Sequence, residues 1–265
     1  MLDDLTNLQA LLKDSTLLAT RGYIAGEWCD GENGQTFPVY NPARGDVITD
    51  VADISRTQTA EAISIAEKAQ KLWAARPAKE RSNLLRNWYN LMMENQEDLA
   101  TILTAEQGKP IEEAKGEIAY GASFIEFFAE EAKRVYGETI PGHQSDKRIT
   151  VLKQPVGVAA SITPWNFPNA MITRKAGPAL AAGCAFIARP AAETPLSALA
   201  MGILADRAGL PKGILSIIPS SRSSEIGKEF CENPIIRKLT FTGSTEVGRI
   251  LLKQASEQIM KCSME

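Results

Sequence analysis

The chain has 265 residues, 44% of them hydrophobic and 23% charged, with a formal net charge of −3, an ordinary soluble globular composition with room for one large domain or two smaller ones. No block of like charges points to nucleic acid or an anionic membrane as a partner, and the longest apolar run, Ala176–Ala188, is broken by Gly177, Pro178 and Gly183 and is too short to span a bilayer. Cys29, Cys184, Cys231 and Cys262 form no C-x-x-C pair and His143 is the single histidine, which leaves little for a zinc site, a disulfide framework or a Ser-His-Asp triad. The acidic amino end, Met1-Leu2-Asp3-Asp4, lacks the basic-then-apolar pattern of a secretory signal, so a cytoplasmic location is expected.

In chain order, Leu2, Leu5, Leu8, Leu11, Leu12 and Leu18 recur near a helical period and predict a surface helix over residues 2–20. Tyr23–Trp28 followed by Asp30–Gly34 reads as a strand and a turn cluster. A second turn, Asn41–Asp46, leads into a strand over Val47–Ala52. The pattern is then helical from Thr57 to Phe128, with helices predicted over Thr59–Trp73, Ala78–Glu94, Gln96–Glu106 and Ile111–Tyr136. Gly108 and Pro110 stop the third of these, and Phe124, Phe127 and Phe128 read as core. Gly137–Gly142 breaks the last helix. Ile149–Lys153 and Val156–Ile162 are strands separated by Gln154-Pro155, a pair that looks like an arm leaving the compact body.

Beyond Ile162 strands and helices alternate. Helices over Ala170–Ala182, Leu196–Ala208, Ser224–Cys231 and Thr245–Ile259 are interleaved with strands Cys184–Ala188, Ile214–Ile218, Lys238–Phe241 and a last strand beginning at Lys261. Such alternation implies βαβ crossovers and a parallel sheet, with strands too uniformly apolar to have a wet face. The fold expected is α/β, a doubly wound parallel Rossmann-like sheet with flanking N-terminal helices and a β-arm. Residues 1–136 would pack on the cofactor domain, 137–160 would form the arm and entry strand, and 161–265 the dinucleotide-binding domain.

Three stretches can carry chemistry. The loop Ser161–Pro168 leaves a strand and enters a helix, and Pro164 and Pro168 stiffen it. It can aim the Asn166 amide at a developing oxyanion; it also reads as a Pro-rich turn plugged by an aromatic. Phe241–Gly248 is a strand, a glycine turn and a helix start, where free N–H groups can meet a phosphate, although its G-x-x-x-x-G spacing departs from the dinucleotide fingerprint and Gly243 also reads as a simple tight turn. Arg189–Glu193 ends a strand where such folds meet the adenosine ribose. Glu265, at the carboxyl end of its own strand, can act as a general base towards water if partial burial raises its pKa.

These stretches, with Glu106-Gln107-Gly108-Lys109-Pro110 and the ending Ser263-Met264-Glu265, resemble the aldehyde dehydrogenase superfamily. Asn87–Met92, Tyr136–His143 and Ala170–Lys175 look like its succinate-semialdehyde dehydrogenase branch. The resemblance implies NAD(P)-dependent oxidation of a small aldehyde by a homo-oligomer, with an aldehyde dehydrogenase-like fold. By similarity Asn166 would be the oxyanion donor, Glu265 the general base and Lys175 a supporting group near both. Arg174 and Phe167 would meet the substrate, Arg174 gripping its distal carboxylate. Ile162, Thr163, Pro164 and Trp165 would line the cofactor, Arg189, Pro190, Ala191 and Ala192 its adenosine ribose, and Gly243, Ser244, Thr245, Glu246, Val247 and Gly248 its pyrophosphate. The Asn166 amide and the Glu265 carboxyl are expected to share one pocket rimmed by Gly243.

Departures from the family pattern temper this. Arg189 stands where lysine is usual, Ala192 where a glutamate favours NAD or a serine NADP, and Pro219–Ser224 replaces a glycine-rich turn. Arg189 without an acid at 192 leans towards NADP, while Glu193 pulls towards NAD. The family's nucleophilic cysteine follows its general base, and none of the four cysteines here has a matching context. The resemblance therefore implies a truncated dehydrogenase that lacks the cysteine domain and is inactive alone; the alternatives are a non-catalytic dinucleotide-binding or interaction module, or a partly unfolded fragment exposing apolar patches.

Overall fold

In the computed structural model, which describes residues 8–265, the chain opens with one helical turn, α1 (Leu8–Leu11). The long helix expected over residues 2–20 is absent from its described part. The amides of Lys13 and Asp14, which would have continued it, donate to the Asp98 carboxylate at 2.9 and 2.8 Å; residues 1–7 of that expectation lie outside the described residues. A hairpin follows, β1 (Gly22–Ile24) and β2 (Glu27–Cys29), turned by Ala25 and Gly26 at φ 55° and 81°, the positive φ that a two-residue hairpin turn requires. β3 (Thr36–Tyr40) and β4 (Val47–Ala52) pair as a separate ribbon. The first of these strands is an addition to the sequence reading.

Four helices then form a layer: α2 (Arg56–Ala74), α3 (Ala78–Glu94), α4 (Gln96–Gln107) and α5 (Ile111–Glu131). Ser55 and Gln58 make a full capping box at the start of α2. Gly108, at φ 85°, ends α4. Trp73 and Trp88 are fully buried, and their indole N–H groups donate to the carbonyls of Leu180 and Met201 at 2.9 and 3.2 Å, which bolts this layer to the helices of the following half.

β5 (Glu138–Pro141) and β6 (Arg148–Val151) pair antiparallel as an arm. This corrects the sequence reading twice. Glu138–Pro141 is a strand and not only a breaker, and the arm partner of the Ile149 strand is this segment instead of Val156–Ile162. The latter supplies β7 (Val158–Ile162), buried at every position and central to the main sheet. The remaining elements are α6 (Ala170–Ala181), β8 (Ala185–Arg189), α7 (Pro195–Arg207), β9 (Leu215–Ile217), α8 (Ser223–Glu232), β10 (Ile236–Phe241), α9 (Thr245–Ala255) and β11 (Lys261–Met264).

The main sheet has seven strands in the order β11-β10-β7-β8-β9-β1-β2. Neighbours from β11 to β9 are parallel, and the β1–β2 hairpin closes one edge antiparallel. From β7 the chain steps outward through β8 to β9, then returns to lay β10 against the other side of β7. The direction of winding thus reverses between β7 and β10, and a crevice opens at their carboxyl ends. Among the described residues no helix is long and apolar enough to cross a membrane.

Two buried carboxylates from the helical layer cap helices of the second half. Glu106 on α4 accepts from the Leu196 and Ser197 amides at 2.7 Å each, in the first turn of α7. Glu117 on α5 accepts from the Asn169 and Ala170 amides at 2.9 and 3.2 Å, where α6 begins. These N–H groups have no partner within their own helices. Burial pushes the Glu106 carboxyl up to about 8, against the opposing pull of Ser197 and Leu196. Between its ordinary 4.5 and about 8 the folded chain therefore holds a proton that the unfolded chain has released. That contribution to stability is complete below 4.5 and is lost as pH rises through 8. Melting temperatures of the wild type are expected to fall across this window, and Glu106→Gln, which cannot titrate, is expected to flatten the fall; identical slopes for the two proteins would contradict the assignment.

Candidate active site

The crevice at the β7–β10 switch is a cavity of about 700 Å³. Ile162, Thr163, Pro164 and Trp165 form one wall, Arg189, Ala191, Ala192 and Glu193 a second, and Ser221, Ser223 and Ser224 a third. Thr242, Gly243, Ser244 and Val247 close it from the β10–α9 side. Ser244 is the N-cap of α9, its hydroxyl accepting from the Val247 amide at 3.3 Å, and the rest of that first turn presents N–H groups suited to an anion. A Cβ at Gly243 would lie 2.6 Å from the Phe241 ring, so a larger residue there must push the ring aside. Thr163 Oγ1, Arg189 Nε and Gln254 Oε1 belong to this lining and are buried without a protein partner. A cleft of this size beside the start of α9 fits a phosphate-bearing ligand.

The third wall is held from the first half of the chain. Asp53 accepts from the Ser220 hydroxyl at 2.9 Å, the Ser221 amide at 3.0 Å and the Ser221 hydroxyl at 2.6 Å. Arg189 is buried, and its guanidinium donates to the Ser220 carbonyl at 2.8 Å and to the Ser223 hydroxyl. It braces this wall through Nη2, and its Nε is buried without a protein partner. Burial pushes its pKa down, with Glu193 and Asp53 opposing.

A second groove, of about 520 Å³, is lined by Arg174, Lys175, Thr240, Ser263 and Glu265 together with Phe124, Phe128 and Phe186. Here a chain of hydrogen bonds runs from one charge to another. Lys175 Nζ donates to Thr242 Oγ1 at 2.8 Å, and that hydroxyl donates to Glu265 Oε2 at 3.0 Å. Arg174 Nη2 meets Glu265 Oε1 at 3.2 Å, and its guanidinium lies 5.7 Å from the centre of the Phe124 ring. Burial raises the Glu265 carboxyl, but the Thr242 hydroxyl, Lys175 and Arg174 together outweigh it and hold the group below the usual carboxylate range. This reverses the expectation of a raised pKa, because the side chain is about half exposed while its two cations are close. Burial lowers Lys175, and Glu265 opposes that shift.

The structure thus gathers Ile162–Trp165, Arg189, Ala191, Ala192, Gly243, Ser244 and Val247 around one crevice, and Arg174, Lys175 and Glu265 around a neighbouring groove. It does not bring the Asn166 side chain to either: Asn166 is exposed, lines neither cavity, and contacts the protein through its carbonyl, which accepts from Lys109 Nζ at 3.0 Å. Phe167 lies under the same ammonium, 3.8 Å from the ring centre. Pro190 and Gly248 are buried outside the lining, while Thr245 and Glu246 are exposed on the first turn of α9. Thr242, Ser221, Ser223, Ser224, Asp53 and Lys109 were not singled out from the sequence. Thr242 and Lys109 lie within stretches that carry the family resemblance, and the serines occupy the turn where the family pattern has glycines. Among the cysteines, burial pushes the thiols of Cys29, Cys184 and Cys262 up, and that of Cys231 up to about 12.

Comparison with known proteins identifies the family and its fold. The model of the aldehyde dehydrogenase family matches residues 28–265. Glutarate-semialdehyde dehydrogenase of Pseudomonas aeruginosa is 59% identical over 254 residues, covering 96% of this chain and 52% of that protein. The NADP(+) succinate-semialdehyde dehydrogenase of Escherichia coli is 56% identical, with coverage of 96% and 52%. The crystal structure of an aldehyde dehydrogenase from Brucella melitensis biovar abortus superposes with a TM-score of 0.94 at 55% identity, covering 96% of this chain and 52% of that one. The chain spans about half the length of the curated relatives it matches. With a mostly parallel sheet wound about the β7–β10 switch, and a family match over all but its first 27 residues, the chain belongs to the aldehyde dehydrogenase family.

Proposed function

We propose that this chain is the dinucleotide-holding part of an NADP- or NAD-dependent dehydrogenase for a small ω-carboxy aldehyde, succinate semialdehyde or its glutarate homologue. The observation that carries the reading is the adjacency of two features at the carboxyl ends of β10 and β11: a crevice beside the start of α9, and a cluster in which two cations hold one carboxylate. Within it, residues 158–265 act as the nucleotide domain, with the β1–β2 hairpin completing its sheet and α2–α5 as the layer that packs on it. The arm within 137–160, with Ile140, Ile149 and Val151 exposed, serves assembly into a homo-oligomer.

In this reading the crevice takes the adenosine against Ser221–Ser224 and Ala191–Ala192, and the phosphates against Gly243, Ser244 and the first turn of α9. A bound nicotinamide supplies the hydride acceptor. Asn166 donates from its amide to the oxygen that gains charge on the aldehyde, and Phe167 lies beside the substrate chain. Arg174 grips the distal carboxylate, for which a guanidinium fork is suited. Glu265, ionised at neutral pH, takes a proton from the hydrolytic water, while Lys175 fixes it through Thr242. NADP is slightly favoured over NAD: Ala192 offers no carboxylate to repel a 2′-phosphate and Arg189 backs the serine wall with positive charge, while Glu193 on the same side of the crevice pulls towards NAD. None of the four thiols is activated, so the chain by itself oxidises no aldehyde. The same thiols support a second reading, in which dinucleotide binding is the chain's whole activity.

Calorimetry is expected to show NADP binding more tightly than NAD, and Gly243→Val weakening NADP about a hundredfold by driving the Phe241 ring into the crevice. No heat with either dinucleotide would contradict both readings, and turnover of succinate semialdehyde by the purified chain would contradict the reading of its cysteines. A carbon-13 titration of the Glu265 carboxyl is expected to show its midpoint moving upward in Thr242→Val and in Lys175→Met. An unmoved midpoint in both would show that these groups do not set its charge.

A further inference from the structure

The ion pair of Lys109 with Glu117 lies outside both cavities, yet its hydrogen bonds and its cation–π contact fall on the loop between β7 and α6 and on the first residue of α6. Lys109 occupies the three-residue turn between α4 and α5, where Gly108 at φ 85° and Pro110 at the head of α5 leave its backbone little freedom. Its side chain is 10% exposed and that of Glu117 1%, with Nζ and Oε2 2.6 Å apart. The ammonium has two further partners. It donates to the Asn166 carbonyl at 3.0 Å and sits 3.8 Å over the Phe167 ring. The other carboxylate oxygen, Oε1, accepts from the Asn169 and Ala170 amides. One buried, mutually neutralised pair thus grips residues 166, 167 and 169 of that loop and residue 170 at the head of α6. Trp165, next along that loop and 53% exposed, is left to solvent.

Burying two charges is costly unless their remaining hydrogen-bonding capacity is used. Here it is used almost wholly on loop backbone and one ring. A pair serving stability alone would be replaceable by apolar packing without effect on where that loop sits. We propose that Lys109 is a positioning residue: through Glu117 it sets the path of the Trp165–Asn169 loop and so aims the Asn166 amide. The functional weight of this rests on the reading of Asn166 as oxyanion donor, while the positioning itself can be tested without turnover.

The chain contains four tryptophans, so 5-fluorotryptophan labelling gives four fluorine resonances, and Trp165→Phe assigns the one from the loop. Because Lys109→Met alone strands a buried carboxylate, the variant of choice is Lys109→Met with Glu117→Gln, which removes the pair but keeps an acceptor for the Asn169 amide. The Trp165 resonance is expected to shift and narrow as the loop is released, while those of Trp28, Trp73 and Trp88 stay in place. Lys109→Arg should return it towards the wild-type position, since a guanidinium can bridge the carboxylate and the carbonyl and stack on Phe167. A Trp165 resonance unmoved in the double variant would overturn the proposal. So would four resonances moving together, which would make the pair a general determinant of the fold. Should Trp165 respond as expected while Asn166→Ala leaves turnover intact in a longer, active form, the positioning role stands and the reading of Asn166 fails.

Discussion

The structure depends most on the parallel pairing of β7 with β10. Ile162 lies opposite Phe241 at the end of that register, and beyond it the ladder continues as Thr242 N–H donates to the Ile162 carbonyl; on the other side of β7, Thr163 N–H donates to the Arg189 carbonyl of β8. Because β8 and β9 lie to one side of this seam and β10 and β11 to the other, the loops after β7 and β10 diverge and leave space between them. The crevice lined by Thr163, Arg189 and Gly243 occupies that space. Had β10 been added beyond β9, Thr163 and Gly243 would be separated by three strand widths, about 15 Å, and no crevice would join them.

The seam alone does not hold the loops still. That is done by carboxylates from the first half of the chain, each placed where the second half has unpaired backbone N–H groups. Glu106 serves the start of α7, Glu117 the start of α6, and Asp53 the serine turn before α8. A helix start offers partial positive charge and free donors, which offset part of the cost of burying an acid, though at Glu106 burial outweighs them. Two fully buried tryptophans add apolar contact and one hydrogen bond each across the same junction. The layer formed by α2–α5 is therefore less a separate body than the clamp that gives the nucleotide-side loops their shape.

Much of this was legible in the sequence, for identifiable reasons. The strands β7 and β8 are buried at every position and so read as unbroken apolar runs, and helices with strong punctuation, such as Ala78–Glu94 between Pro77 and Asn95, fell almost at their observed ends. What failed was information that local pattern does not hold. Thr36–Tyr40 alternates exposed and buried as a strand should, but Pro38 and the neighbouring turn residues masked it. Glu138–Pro141 is exposed throughout and carries no apolar signal. The lowered pKa of Glu265 depends on Thr242, Lys175 and Arg174, far from it in sequence. The engagement of Arg189 with the serine turn, and of Lys109 with the Asn166 carbonyl, are likewise tertiary facts. Family resemblance supplied residue roles that spacing could not.

In the proposed reading a dinucleotide rests at the seam between β7 and β10 and not in the neighbouring groove. A crystal structure of this chain grown with NADP tests that most directly. The account predicts phosphate density against Ser244 and the first turn of α9, with the adenosine between Ala192 and the Ser221–Ser224 wall. Density for the nucleotide in the groove of Arg174, Lys175 and Glu265, with the seam filled only by water, would contradict it.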